Sequence, residues 1–447
     1  MYVTRPLSRY LDDPKAAAEP PPEGPGSGFL VVVDETGETA RTRCWGCCVD
    51  REMRGLPFPQ NRQLALREKT SSDPMESCET CVDFLGTILD LCSGVVSGWE
   101  PTDSKAAKTP DYSMLVPVVG QPLSSGRYYV VQADGKHRGM VSACSKEEDK
   151  TVCCFCTSIN DVKPRAFDGS DVYQQVEVQL LPSGKKHKGF VAVAVATDGI
   201  PPHYLRKKGW KVKTMMSPKY ELSLDAQGVD SALRRRMPDL DSLNIAERSS
   251  LPIVVGKWYV PFMFVNADGM FLKAGGTCCF KGGEKHSLKD QARKCMYYEM
   301  TIEQSWEQIH SLEAKGTNHQ GPGSELAEVA VTATVRRSMA LVDGTSVVPQ
   351  EDGGTVWFRP ETTASTVGLD MVVWERMKWE LERGGWVAPG NGDEERIERV
   401  ERRDGQGQWH KFACYVLLER FVLKRMDGSL ALTCEFRHTD KIKAKWL

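Results

Sequence analysis

The segment that most constrains the fold lies near the C-terminus. Tyr415 to Lys424 and Leu430 to Arg437 flank Asp427-Gly428, a pair whose tolerance of positive φ suits the tight primed turn of a β-hairpin. On the second arm Leu430, Leu432, Cys434 and Phe436 fall at every second position and share one face. Similar signals recur upstream. Gly28 to Cys44 reads as a hairpin in which FLVVV enters a turn at Asp34-Glu35-Thr36-Gly37. Val191, Val193 and Val195 alternate with alanines, as in a strand packed on both faces.

Helical signals are fewer. Cys78, Cys81, Phe84, Leu85, Ile88, Leu89 and Cys92 recur at three- and four-residue steps, predicting an amphipathic helix over Ser77 to Cys92. Pro201-Pro202 opens a short helix that Gly209 closes. Met300 to Leu312 is a third candidate, and Asp370 to Arg383 reads as helix from Val373 on. The expected fold class is α+β, mainly antiparallel β-sheet with a few peripheral helices.

At 447 residues the chain can bury a large core without disulfide or metal staples. Polar, Pro/Gly-rich or charged stretches punctuate it. They suggest an extended N-terminal arm over 1–28, a hairpin, helix and loops over 29–113, and β-rich modules over 114–247 and 248–387. A disordered charged insert over 388–408 and a C-terminal β-hairpin over 409–447 follow. The two modules share blocks in the same order. Gly126-Arg127-Tyr128-Tyr129-Val130 parallels Gly256-Lys257-Trp258-Tyr259-Val260, and Val172 to Val178 parallels Met296 to Ile302. Gly-Trp pairs follow at Trp210 and Trp386, a pattern that suggests two related β-rich modules.

Charge is balanced, with 58 Lys+Arg against 60 Asp+Glu, so no whole-molecule field favours nucleic acid or an anionic membrane. The first residues lack the apolar run of a signal peptide, and no apolar stretch approaches the roughly 20 residues of a membrane helix. The 15 cysteines then read as reduced thiols, and the expected compartment is cytosol or nucleus, not the secretory route.

Cysteine is the only residue type whose spacing invites chemistry. Cys-x-x-Cys occurs at Cys44/Cys47, Cys78/Cys81 and Cys153/Cys156. Zinc favours such pairs because a tight turn brings two thiolates to one tetrahedral ion. Cys78 and Cys81 lie on the apolar face of the expected helix, and Thr151 to Ile159 reads as one strand that would splay Cys153 and Cys156 to opposite faces. Only Cys44-Trp45-Gly46-Cys47 has a knuckle-like glycine. Cys44, Cys47, Cys153 and Cys156 are thus the metal candidates, set against ordinary buried thiols. No cofactor fingerprint, phosphate loop or nucleophile elbow is present, so no catalytic residue is named. The basic runs Lys185 to Lys188, Arg206 to Lys208 and Arg234 to Arg236 read as solvated surface, and Tyr128-Tyr129 and Trp258-Tyr259 as core.

Ordered blocks along the whole chain carry a resemblance. MYVTRPLSRY, PPPEGPGSGFLVV, LPFPQNRQL, QPLSSGRYYVV, CCFC, GIPPHYLRKKGW, VGKWYVPFMFV, YYEMTIEQSWE, ERMKWELERGGW and RMDGSLALTCEFRHTDKIKAKW resemble the plant-restricted family called domain of unknown function 1262. The resemblance implies a plant source and a loose association with stress and defence responses, and it supplies no activity. Phe271 to Ser287 departs from the pattern as an addition. The expected function is a non-enzymatic intracellular binding or scaffold protein, with a protein as the class of partner left open. The alternatives are a cysteine-dependent zinc or redox protein and an enzyme with a family-specific site.

Overall fold

The computed structural model describes residues 1–37, 41–43, 48–67, 111–153, 156–182, 189–215, 222–267, 295–314, 326–361, 366–388, 393–404 and 409–447. The helix expected over Ser77 to Cys92, with Cys78 and Cys81, lies outside them, as do Cys44, Cys47 and the Lys185 to Lys188 run. Strands dominate, helices are few and short, and the paired strands among the described residues are antiparallel. The chain divides into two compact units.

One unit comprises Thr4–Gly24 and Gly28–Leu224. Its seven-stranded sheet runs in the order Phe190–Ala194, Gln175–Leu180, Arg127–Gln132, Asp111–Pro117, Leu64–Arg67, Lys211–Thr214, Glu52–Met53. Phe58 anchors the core, with ring centroids 5.6 Å from Tyr128 and 5.1 Å from Phe190, and Phe190 meets Trp210 at 5.3 Å. The Trp210 indole donates to Leu205 O at 2.9 Å, so the His203–Arg206 helix expected after Pro202 is tied to that core.

Three expectations change in this unit. The stretch expected as an extended arm contains a helix, Leu7–Asp12, and a 3-10 turn, Pro14–Ala18, capped by Asp13. Buried Leu7, Tyr10 and Ala16 give these residues enough apolar surface to order. Gly28–Val32 is a strand, but Arg41–Arg43 pairs with Cys48–Asp50 instead of returning against it. Thr151 to Ile159 is a hairpin and not a single strand: Lys150–Cys153 pairs with Cys156–Ile159, and Cys153 stands opposite Cys156. Nothing in Cys154-Phe155 signals that reversal, because it lacks the Gly, Pro, Asn or Asp that usually marks one.

The other unit comprises Met1–Val3, Pro25–Ser27 and Asp225–Leu447. Its main sheet contains, in order, Ile253–Pro261, Tyr297–Glu313, Lys411–Arg425, Leu430–Trp446, Ser338–Val342 and Thr345–Val347. The Asp427-Gly428 turn forms as expected, with Gly428 at φ +84°, and the hairpin it closes lies in the interior of the sheet's strand order. Met300 to Leu312 is strand and not helix. Met300, Ile302, Gln304 and Trp306 alternate on a buried face; Ile253–Pro261 pairs with the strand from Tyr297 to Gln304 and Lys411–Arg425 from Tyr298 to Glu313. The charged stretch expected to be disordered contains an 11-residue strand, Glu394–Asp404, paired with Leu326–Arg336. Ile397, Val329, Val331 and Val335 are buried, so enough apolar surface is available to order it.

The repeated blocks occupy equivalent registers within each unit. Tyr128 pairs with Val176 and Tyr129 with Gln175, while Trp258 pairs with Met300 and Tyr259 with Glu299. The preceding glycines also correspond. A Cβ on Gly126 would come 2.6 Å from Val178 O, and one on Gly256 2.6 Å from Ile302 Cγ2, so both pairings need a residue without a side chain. Tyr128, Tyr129, Trp258 and Tyr259 are all buried.

Candidate functional site

The helix Met371–Arg383 begins where the Asp370 side chain accepts from Val372 N, and it presents two different faces. Val373, Met377 and Leu381 are buried together with Arg376 and Glu380. Trp374, Lys378 and Glu382 recur every four residues along the other side.

That second face forms one wall of a cavity of about 380 Å³. Cys434 and Phe436 line it from the Leu430–Trp446 strand, Ala340 from Ser338–Val342, and Trp386 from beyond the helix. The aromatic groups support one another: Trp386 meets Phe436 edge-on at 5.2 Å, and Trp374 meets Phe358 at 5.8 Å. Arg336, Lys378, Glu382 and Asp393 also line the cavity and are exposed. An apolar concavity with a few polar groups at its margin is the usual form of a small-molecule site.

The helix is held by a buried ion cluster. Arg234, from the Ser231–Arg236 helix, grips Glu419 through Nε to Oε1 at 2.8 Å and Nη2 to Oε2 at 2.6 Å. Its Nη1 donates to Glu380 Oε1 at 2.9 Å and to the Glu380 carbonyl at 3.0 Å, near the helix C-terminus where a cation is favoured. Arg376 and Arg383 supply further contacts to Glu380, each at 3.0 Å. Gln304 donates to Glu419 Oε1 at 2.8 Å, and His438 Nε2 lies 3.1 Å from Oε2. Burial alone would raise the Glu419 pKa, but Arg234 and then His438 outweigh it and hold the carboxyl well below its usual range.

Gly384 makes room for this arrangement. A Cβ there would meet Arg234 Nη2 at 2.0 Å, and the Gly384 carbonyl accepts from Lys441 at 2.8 Å. Sequence reasoning missed the cluster. Arg234 reads as one of three solvated arginines, yet it is buried while Arg235 and Arg236 are exposed. No local signal separates Arg234 from its neighbours on the short helix capped by Asp230, where it alone is buried.

Among the metal candidates, the structure describes only the backbone of Cys153 and Cys156, placed opposite each other in the hairpin. Arg43 is paired with Cys48, and Cys44 and Cys47 lie outside the described residues. The described free thiols elsewhere, Cys144, Cys295, Cys414 and Cys434, are buried, and burial pushes the first three up to about 12, 11 and 11. Cys144, Cys414 and Cys434 pack as small apolar groups, while Cys295 Sγ also donates to Tyr297 O at 2.6 Å. Among the described residues no group of three or more His, Cys, Asp or Glu side chains converges to hold a metal ion.

Residues 23–155 match the model of a family described as protein of unknown function, DUF1262. No curated protein matches the chain. Among solved structures, the chain is similar to the crystal structure of Cry35Ab1, at 9% identity and a TM-score of 0.43, covering 87% of this chain and 90% of that one. No helix among the described residues is long and apolar enough to cross a membrane.

Proposed function

We propose that the chain is a non-enzymatic binding protein whose ligand enters the cavity between the Met371–Arg383 helix and the sheet. The observation that carries this reading is the 380 Å³ space walled by Trp374, Trp386 and Phe436, with its charged groups exposed at the margin. The resemblance to the plant-restricted family supports a plant source and a role in stress or defence responses, and the reading of the cysteines as reduced thiols supports a cytosolic or nuclear location. The equivalent registers of the Tyr128 and Trp258 blocks support reading the chain as two related β-rich modules. A neutral apolar fluorophore, N-phenyl-1-naphthylamine, tests the cavity. One dye per chain should bind saturably, and Ala340→Trp, which fills the space from the sheet side, should abolish binding while the thermal transition persists. Unsaturable binding, or an unchanged Kd in the variant, would refute the reading.

A second reading keeps Cys44, Cys47, Cys153 and Cys156 as a zinc site. It is favoured by the hairpin at Cys153 and Cys156, which removes the splayed geometry that counted against a shared ion. Metal analysis of protein purified without chelator decides it. About one zinc per chain, lost in Cys153→Ser, supports the site, and metal-free protein with all four thiols titratable dismisses it.

A further inference from the structure

We infer that the cavity selects a flat apolar molecule carrying a carboxylate, with Arg336 as its anchor; this rests on the cavity being a ligand site. Three observations carry the inference. First, the faces of both cavity tryptophans already hold cations: Lys378 Nζ lies 5.3 Å from the Trp374 centroid and Arg337 Cζ 5.8 Å from that of Trp386. An ammonium ligand seated against these rings would meet like charge, which excludes the usual aromatic-cage reading.

Second, the cations differ in how they are engaged. Lys378 pairs with Glu351 at 3.4 Å and Arg337 with Glu395 at 3.3 Å. Arg336 forms no ion pair among the described residues. Its Nη1 donates to Ser346 Oγ at 3.3 Å, which leaves most of a planar fork suited to bidentate carboxylate binding. Third, Trp386 is 8% exposed and its indole N–H has no acceptor among the described residues. A buried donor of this kind is relieved by an oxygen acceptor and not by another donor. Glu382 and Asp393 share the margin but are solvent-exposed, where their repulsion of an anion is screened. The aromatic walls then take the apolar body, and Arg336 takes the acid.

Three ligands of one shape separate the possibilities: 2-naphthoate, 2-naphthalenemethanol and 2-naphthylmethylammonium, titrated calorimetrically at pH 7 and about 0.15 M salt. Naphthoate should bind about tenfold more tightly than the alcohol, and the ammonium most weakly. Arg336→Gln should remove the naphthoate advantage and leave the alcohol Kd unchanged, which also reports that the cavity is intact. If the alcohol binds as tightly as naphthoate and the variant changes neither, the cavity reading stands and this inference is overturned. A preference for the ammonium, or loss of alcohol binding in Arg336→Gln, overturns it as well. If none of the three binds, the cavity reading itself fails.

Discussion

Arg234 and Glu419 form a two-pronged ion pair inside the larger sheet unit, at 2.8 and 2.6 Å, although 185 residues separate them in sequence. The Glu419 side chain is fully buried, so Arg234, with Gln304 and His438, takes the place of water around that carboxylate.

Removing one partner should therefore be costly. Arg234→Met is expected to destabilise the protein by about 3–5 kcal/mol, because it leaves Glu419 charged and buried. Arg234→Met combined with Glu419→Met should recover much of that loss. Urea unfolding followed by circular dichroism measures both, and equal stability of the single variant and the wild type would contradict the cluster.

The pH dependence has a defined sign. The folded pKa of Glu419 is depressed below 4.5, so its ionised form stabilises the fold fully above that value. The contribution is lost as pH falls below 4.5 toward the folded pKa. The stability gap between wild type and Glu419→Gln should be constant from pH 6 to 7 and shrink below pH 4.5. A gap that widens on acidification would show that the carboxyl is not held ionised.

Gly384→Ala tests the packing around the clamp. The new methyl would overlap the Arg234 guanidinium at 2.0 to 2.3 Å while the backbone, at φ −76°, tolerates alanine. The expected cost is about 1–3 kcal/mol from overpacking, read as a lowered urea midpoint. Arg234→Met should relieve most of the clash, so the two changes should be non-additive.

Thiol chemistry provides a fourth check. Cys144 and Cys295, raised to about 12 and 11 by burial, hold almost no thiolate at pH 8. Iodoacetamide at pH 8 should leave the peptides containing Cys144, Cys295, Cys414 and Cys434 unmodified in the native protein and alkylate them in urea, as mass spectrometry would report. Rapid native labelling of Cys144 would place it outside the core.

Local signals were read correctly where a short stretch contains the whole reason for its structure. Asp427-Gly428 between alternating arms is such a stretch, as is Pro201-Pro202 before the His203–Arg206 helix. The Met371–Arg383 helix follows its apolar spacing and starts at the Asp370 cap. Met300 to Leu312 could not be assigned this way, because strands far away in sequence supply its hydrogen bonds. The strand Glu394–Asp404 is highly charged and orders against Leu326–Arg336 across a gap of more than fifty residues. In the candidate site, Trp386 carries a repeat signal and Arg234 reads as solvated surface, while Arg336, Glu380, Glu419 and His438 carry no local signal of their roles.

The sequence alone determined the class of fold, mostly antiparallel sheet with few helices, because two-residue alternation and turn chemistry are local properties. Only the tertiary structure decided that Arg234 is buried, that Cys153 faces Cys156 across a hairpin, and that Trp374, Trp386 and Phe436 wall one cavity. Those outcomes depend on which distant segments remove one another from water, and no local stretch of residues encodes that.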